Sequence, residues 1–400
     1  MRETCKPVVE KVAIIGAGPG GLATAIALRK KGIDAHVYER AREFCPAGAG
    51  LALRVNGLRC LDAIEPDIAK TLKKSGCQVK RTTFKTSTGE IIRTSQSTTM
   101  EKYGQPLLII WWWRLQQILA SALPPEVIHL NHSCIGFEQN QNTVIIHFKN
   151  GKTAQAELLV GADGVNSTVR QALIGDGEPQ YLGSMSWRAI ADYNDEVIPA
   201  DEVILMKGEK SILFLLNLGE GNMNWVARKQ FSDASVSPTP AEAKSRVLKE
   251  YADWIEPVRK LMEATDAERI LERPICHRLP LKQWSYGRVT LLGDAAHPMS
   301  PSAGQGANTT FEDAYELAEC LGSFPDLETA LGNYDRRRIQ RTAIIQTRSA
   351  RGEKTMFSKP TQQTNQQSPE NFEEFQNWVY DYDPKSESRL KPWQEKVVVS

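Results

Sequence analysis

A short β-branched run leads directly into three glycines at fixed spacing: Val12-Ala13-Ile14-Ile15, then Gly16, Gly18 and Gly21. The run reads as a buried strand, because it is apolar throughout and too short for a helix. Beyond it a helix is expected over Ala23 to Lys31, with Leu22, Ala25, Ile26 and Leu28 on or near one face. A second strand is expected at Ala35 to Tyr38, ending in Glu39. Strand, glycine turn, helix and strand in that order demand a parallel α/β domain, and each glycine has a task in it. The first permits the tight turn, the second lets a pyrophosphate approach the backbone, and the third lets the helix pack against the strand. Pro19 and Gly20 fill the turn where the helix starts, and its free N–H groups and positive dipole end suit phosphate. Glu39 is placed to hydrogen-bond a ribose, and Arg40 to lie over an adenine or on a phosphate. A lone glycine motif is weak; in this context it indicates dinucleotide binding.

A late segment adds detail. Arg288 to Leu292 reads as another buried strand, with Gly293-Asp294 at its carboxyl end, where open α/β sheets bind ligands. Asp294 there can accept a hydrogen bond from a sugar-alcohol hydroxyl. Pro301-Ser302-Ala303-Gly304-Gln305-Gly306-Ala307-Asn308 then precedes an expected helix, Thr309 to Leu321. Gly304, Gly306, Ala307 and Asn308 would bare N–H groups at a positive helix end, a suitable partner for the negative edge of a reduced isoalloxazine. A plain glycine-rich loop is the competing reading. His297 is expected to hold the turn.

With Gly161-Ala162-Asp163-Gly164-Val165-Asn166-Ser167-Thr168-Val169-Arg170 between them, these motifs are similar to those of the group A flavoprotein monooxygenases, the single-component FAD aromatic hydroxylases such as p-hydroxybenzoate and salicylate hydroxylase. The likeness runs from about Val12 to Phe357, and the stretches Trp187 to Arg228 and Leu115 to Leu119 resemble the salicylate hydroxylase and zeaxanthin epoxidase branch. The resemblance implies an α/β fold with a Rossmann-like FAD-binding domain of glutathione-reductase type, an inserted mixed β-sheet substrate domain and C-terminal helices. It implies FAD contacts at Gly16, Gly18, Pro19, Gly20, Gly21, Glu39, Arg40, Gly50, Asp163, Asp294, Gly304, Gly306, Ala307 and Asn308. It also implies NADH or NADPH as a transient cosubstrate, which fits the lack of a second Gly-x-Gly-x-x-Gly. In such enzymes a flavin C4a-hydroperoxide passes one oxygen atom of O2 to an aromatic, isoprenoid-like or other electron-rich small molecule. One departure stands out. Trp112 occupies the place where the family commonly has a flavin-contacting Arg, and Arg114, two residues later, is the substitute candidate. Trp111-Trp112-Trp113 is core or pocket wall, core being the commoner fate of clustered aromatics.

Two residues are candidates for the chemistry itself. Pro301 would lie beside the flavin and gate ring movement, or merely end a turn. Arg188, on an expected strand of the substrate domain, would meet a substrate carboxylate or phenolate, although a surface or inter-strand role is commoner for Arg. Rival readings are a halogenase or polyprenyl reductase on the same scaffold, or a non-enzymatic binding module like the GDP-dissociation inhibitors. The halogenase motif Trp-x-Trp-x-Ile-Pro is absent, and Asp163, Asp294 and the Gly304 to Asn308 loop weigh against the binding module.

The remaining features set bounds. The 400 residues carry a net charge of +1, which gives no reason to expect nucleic acid or an acidic membrane surface as partner. Seven scattered cysteines without Cys-x-x-Cys support neither a disulfide framework nor a zinc site, and no metal is expected. Arg336-Arg337-Arg338 and Arg341 read as a solvated helix face. The FAD-binding domain is expected to be discontinuous, over 1–80, 105–177 and 273–357, with 81–104 and 178–272 forming the substrate domain. Ser211 to Leu218 and Asn222 to Arg228 read as a hairpin, Leu327 to Met356 as a long polar helix, and Ser358 to Glu370 as a linker. Within 358–400, Phe372, Phe375, Trp378 and Val379 recur at helical spacing, as in a helix docking on the body or on a second copy. No apolar run reaches transmembrane length. A cytoplasmic monomer or homodimer is expected.

Overall fold

The computed structural model describes residues 7–357 and 369–393, apart from 47, 193–198, 200 and 220, together with 397 and 399. A five-stranded parallel sheet lies at its centre, in the order Val289–Leu291, Leu158–Gly161, Lys11–Ile15, Asp34–Tyr38 and Ile128–His129. Lys11–Ile15 is buried along nearly its whole length, which explains its unbroken apolar sequence. Two glycines show why the turn after it takes no other residue. Gly16 has φ +106°, and a Cβ there would lie 2.5 Å from the Ala162 carbonyl oxygen. A Cβ on Gly21 would lie 2.0 Å from the Gly16 carbonyl oxygen, so the helix Pro19–Lys30 could not close on the strand. Pro19 opens that helix, where its missing N–H costs nothing.

Above the carboxyl ends of these strands lies a seven-stranded sheet, ordered Leu271–His277, Gln180–Asp192, Asn222–Gln230, Ser211–Gly219, Glu202–Gly208, Arg81–Thr86 and Ile91–Gln96. Its neighbours are antiparallel except Glu202–Gly208 beside Arg81–Thr86. The expected hairpin is present in register, Ser211 opposite Lys229 and Phe214 opposite Val226. One domain boundary is expected at 273. It falls inside the strand Leu271–His277, whose residues pair with Gln180 to Arg188. One face of this roof sheet packs Trp187, Ala189 and Trp225 against Val247 and Leu261 of two covering helices. The alternate residues Ser184, Ser186 and Arg188 therefore turn toward the cofactor sheet.

The helix expected from Thr309 starts earlier, at Gly306, and runs to Ser323. It packs against Pro19–Lys30 and against Leu327–Met356, the expected long helix, whose N-cap Asp326 accepts a hydrogen bond from the Thr329 N–H. The arginines of that long helix are not a solvated face. Arg338 is 0% exposed and Arg341 7%. Arg338 contacts Glu312 and Asp313 at 2.8 and 2.7 Å, Arg341 reaches Glu312 at 2.7 Å, and Arg337 reaches Glu316 at 2.8 Å. Of the run, only Arg336 is exposed.

The helix Pro369–Tyr380 docks on the body through Phe375, Val379 and Tyr380, which pack with Val55, Ile344 and Ile345. Phe372, expected on the docking face, is 61% exposed. Most of the expected linker, residues 358–368, lies outside the described residues. Among the described residues no helix is long and apolar enough to cross a membrane.

Candidate active site

The glycine turn, the end of Asp34–Tyr38 and the start of the Asp163 segment enclose one cavity of about 450 Å³. Gly16, Gly18, Glu39, Arg40 and Asp163 all line it. At Gly18 nothing lies within 4 Å of where a Cβ would stand, so the backbone is bare on that side. Glu39 braces the turn: its carboxylate accepts from the N–H groups of Ala17 and Ala41, each at 2.8 Å. Each oxygen keeps a second lone pair for a ligand hydroxyl. Trp112 and Gln116 form the wall, one helical turn apart on Trp112–Ser121. Trp112 is thus pocket wall rather than core. Arg114 lies two residues on along the helix and is exposed, and it is not among the residues lining this cavity.

Asp163 binds mainly its own segment. One oxygen takes the Ser167 hydroxyl at 2.5 Å, and the other takes the Thr168 and Val169 N–H groups at 2.7 and 3.3 Å. Burial raises its carboxyl above the ordinary aspartate range, against the pull of these bonds. Arg170, 1% exposed, then joins this segment to the late motif. It donates to the carbonyls of Ala295 and Ala296 at 3.0 and 2.9 Å and pairs with Asp176 at 2.5 Å.

In the late motif His297 holds the turn as expected, its Nε2 2.5 Å from Asp313 Oδ2, which also accepts from the Gly293 N–H. Asp294 lies deep in the molecule, yet its side chain is accessible because it faces the open cleft. Burial raises its carboxyl pKa, while His297 and Arg188 pull the other way. Arg188 comes from the roof sheet. Burial lowers its guanidinium pKa, Arg273 adds to that, and Asp294 opposes it. The structure therefore brings Arg188 and Asp294 within electrostatic reach across the cleft, where base rates favoured a surface arginine.

Pro301 is exposed and heads the single 3-10 turn Pro301–Ala303, which closes on Gly304 in the left-handed region. The N–H groups of Gly306, Ala307 and Asn308 open the following helix and have no helical acceptor. The Asn308 side chain is not aimed into the cleft. It is fully buried and clamps the loop, donating to the carbonyls of Ala52 and Gly304 and accepting from the Arg54 N–H at 2.8 Å. Gly50 lies against the roof, its N–H donated to Asn224 Oδ1 at 3.1 Å.

A family profile described as an FAD binding domain matches residues 10–349. This chain belongs to that family of FAD-dependent monooxygenases. It is similar to the aurachin C monooxygenase/isomerase of Stigmatella aurantiaca, 32% identical over 331 residues, covering 82% of this chain and 85% of that protein. It is also similar to the chloroplastic zeaxanthin epoxidase of an Oncidium hybrid cultivar, 33% identical over 355 residues, covering 84% of this chain and 53% of the epoxidase; the chain thus spans about half the length of those epoxidases. Among solved structures, Klebsiella pneumoniae HpxO with FAD and uric acid superposes with a TM-score of 0.83 at 25% identity, covering 93% of this chain and 96% of that one.

The cleft suits FAD in its donors and acceptors. Two helix starts, at Pro19 and Gly306, offer N–H groups to anionic atoms, and two carboxylates, Glu39 and Asp294, keep acceptors accessible for hydroxyls. Sequence reasoning missed the residues that tie this flavoprotein's site to its surroundings. Glu353 on the long helix accepts from Ser184 of the roof at 2.6 Å and Ser300 of the Pro301 loop at 2.7 Å, and forms an ion pair with Arg228 of the roof. None of these residues belongs to a motif, so no local signal points to them.

Proposed function

We propose that this flavoprotein takes electrons from NADH or NADPH and inserts one oxygen atom of O2 into an aromatic or other electron-rich small molecule. The observation that carries this reading is Asp294 beside the Gly306 helix start, its Oδ1 3.9 Å from where a Cβ on Gly306 would stand, with Arg188 of the roof sheet in electrostatic reach of that carboxylate. The Gly306 helix start would hold the anionic edge of a flavin ring, and Arg188 would supply a cation from the roof.

Each part of the chain then has a task. The backbone from Gly16 to Gly21 holds the pyrophosphate, with Pro19 and Gly20 setting the helix start behind it. Glu39 binds the ribose and Arg40 closes the adenosine end. Asp294 orients the ribitol, and the Gly304 to Asn308 backbone takes the pyrimidine edge of the ring. Bound FAD supplies electron storage and the activation of O2. The protein must keep water from the reacting atoms and aim the substrate at them, and the roof sheet does both. Arg188 would orient a substrate oxygen, and Pro301 would border the flavin ring on its exposed side.

The test is anaerobic reduction of the holoenzyme by NADH and by NADPH, followed at the visible flavin band. A panel of phenols, aryl carboxylates, quinolones and isoprenoids is added in turn. Acceleration of reduction by one class, with a hydroxylated or epoxidised product once O2 is admitted, is the expected result. Fast reduction indifferent to every compound, with no oxygenated product, speaks for a reductase on the same scaffold. Absence of a flavin band after added FAD would overturn the enzyme reading.

A further inference from the structure

Arg54 stands where the strand Gly50–Leu53 passes into the helix Val55–Ile64. Its backbone is fixed by the N–H bond to Asn308. Its guanidinium rests against the flavin loop: a Cβ on Gly304 would lie 3.0 Å from Arg54 Nε and 3.1 Å from Nη2. On the far side, Nη1 donates to the Tyr380 hydroxyl at 2.6 Å, and Gln376 donates to that same hydroxyl at 3.2 Å. Nε is buried without a partner, and among the described residues no carboxylate is paired with this side chain. Arg228 and Arg338, two other buried guanidiniums of this region, do have carboxylates. A half-buried guanidinium whose side-chain partner is a neutral hydroxyl is costly, and an anion at its remaining N–H groups offsets that cost.

We propose that Arg54 recognises an anionic oxygen of the substrate, a carboxylate or an acidic phenolic or enolic oxygen, beside the Gly304 loop. Tyr380 is its positioning residue, so the C-terminal helix sets the substrate preference of the site. This rests on the monooxygenase reading above. The anionic edge of the reduced flavin presents the same chemistry, and the experiment separates the two sources.

The FAD-loaded enzyme is compared with Arg54→Met, Arg54→Lys and Tyr380→Phe. Salicylate, anthranilate and 4-hydroxybenzoate, each with its neutral amide, are titrated while the flavin difference spectrum is recorded; FAD affinity and flavin midpoint potential are measured alongside. The wild type is expected to bind at least one carboxylate at least tenfold better than its amide. Arg54→Met loses that preference by about tenfold to a hundredfold, Arg54→Lys keeps part of it, and Tyr380→Phe loses a few-fold, with FAD affinity and potential unchanged. No carboxylate preference in the wild type, or one that survives Arg54→Met, overturns the proposal. So does a shift in FAD affinity or potential without any change in ligand preference, which assigns the anion to the flavin. If Arg54→Met fails to fold, the Lys and Phe variants decide by the same readouts. A wild type that binds no flavin at all defeats the parent reading instead, and is visible before any ligand is added.

Discussion

Asp294 is a carboxylate that the fold holds in a place that disfavours its charge. Burial lifts its pKa in the folded protein above the value near 3.9 expected of an unfolded chain. The folded apoprotein therefore binds the proton more tightly than the unfolded chain does. Its stability falls as pH rises from about 4 toward the raised value, and stays lower above it. Asp294→Asn removes that loss. The apoprotein variant is expected to unfold at a higher temperature than wild type at pH 7, and to lack this component of the pH dependence. The same change removes an acceptor from the cleft, so FAD affinity is expected to fall about tenfold. Thermal unfolding of apoprotein from pH 4 to 8, with an FAD titration at pH 7, checks both. A variant less stable than wild type at pH 7 would show that Asp294 is braced by its neighbours rather than strained by burial.

At the level of elements, the two helices behind the flavin loop are joined by charge. Glu312, Asp313 and Glu316 on Gly306–Ser323 face Arg337, Arg338 and Arg341 on Leu327–Met356. Arg338→Met leaves two fully buried carboxylates short of a partner and is expected to cost about 3–5 kcal/mol. Arg336→Ala, at an exposed side chain bonded only to Asn333 of its own helix among the described residues, should change stability by less than about 0.5 kcal/mol. Urea unfolding of both variants decides; equal effects would mean that the arginine run acts as one solvated face after all. This contrast also marks what was legible in the sequence. The strand, glycine turn and helix from Lys11 to Lys30 depend on neighbours within a few positions, and their periodicity exposes them. The acids facing Arg338 are 25 and 26 positions away on another helix, and periodicity carries no information about them. Trp112 and Gln116 lie four apart on one helix face, so their shared place on the pocket wall could have been read from helical geometry alone. Arg54 could not: an arginine without a motif gains meaning only when Gly304 and Tyr380 come together around it.

For the molecule as a whole, the question is what keeps the roof sheet in register over the cofactor sheet, since the cleft is built from both. Covalently, the roof is an insertion, and its strands enter and leave the cofactor half more than once. Non-covalently, Glu353 is one buried joint. Its two oxygens gather Ser184 and Arg228 from the roof and Ser300 from the loop that carries Pro301, all in one buried cluster. Glu353→Gln preserves shape and removes charge. It leaves Arg228 buried without its counter-ion, at an expected cost of about 3–5 kcal/mol. The loss should fall on the roof more than on the sheet that binds the adenosine end, because Glu39, Asp163 and Arg170 make their bonds elsewhere. In the wild-type holoenzyme, intrinsic fluorescence from Trp187 and Trp225, buried in the roof core, and release of FAD should report one shared midpoint in urea. In Glu353→Gln the tryptophan transition should move to lower urea and precede FAD release. Coincident transitions in the variant would show that the two sheets stay coupled without this ion pair, through chain connectivity and contacts such as Gly50 with Asn224.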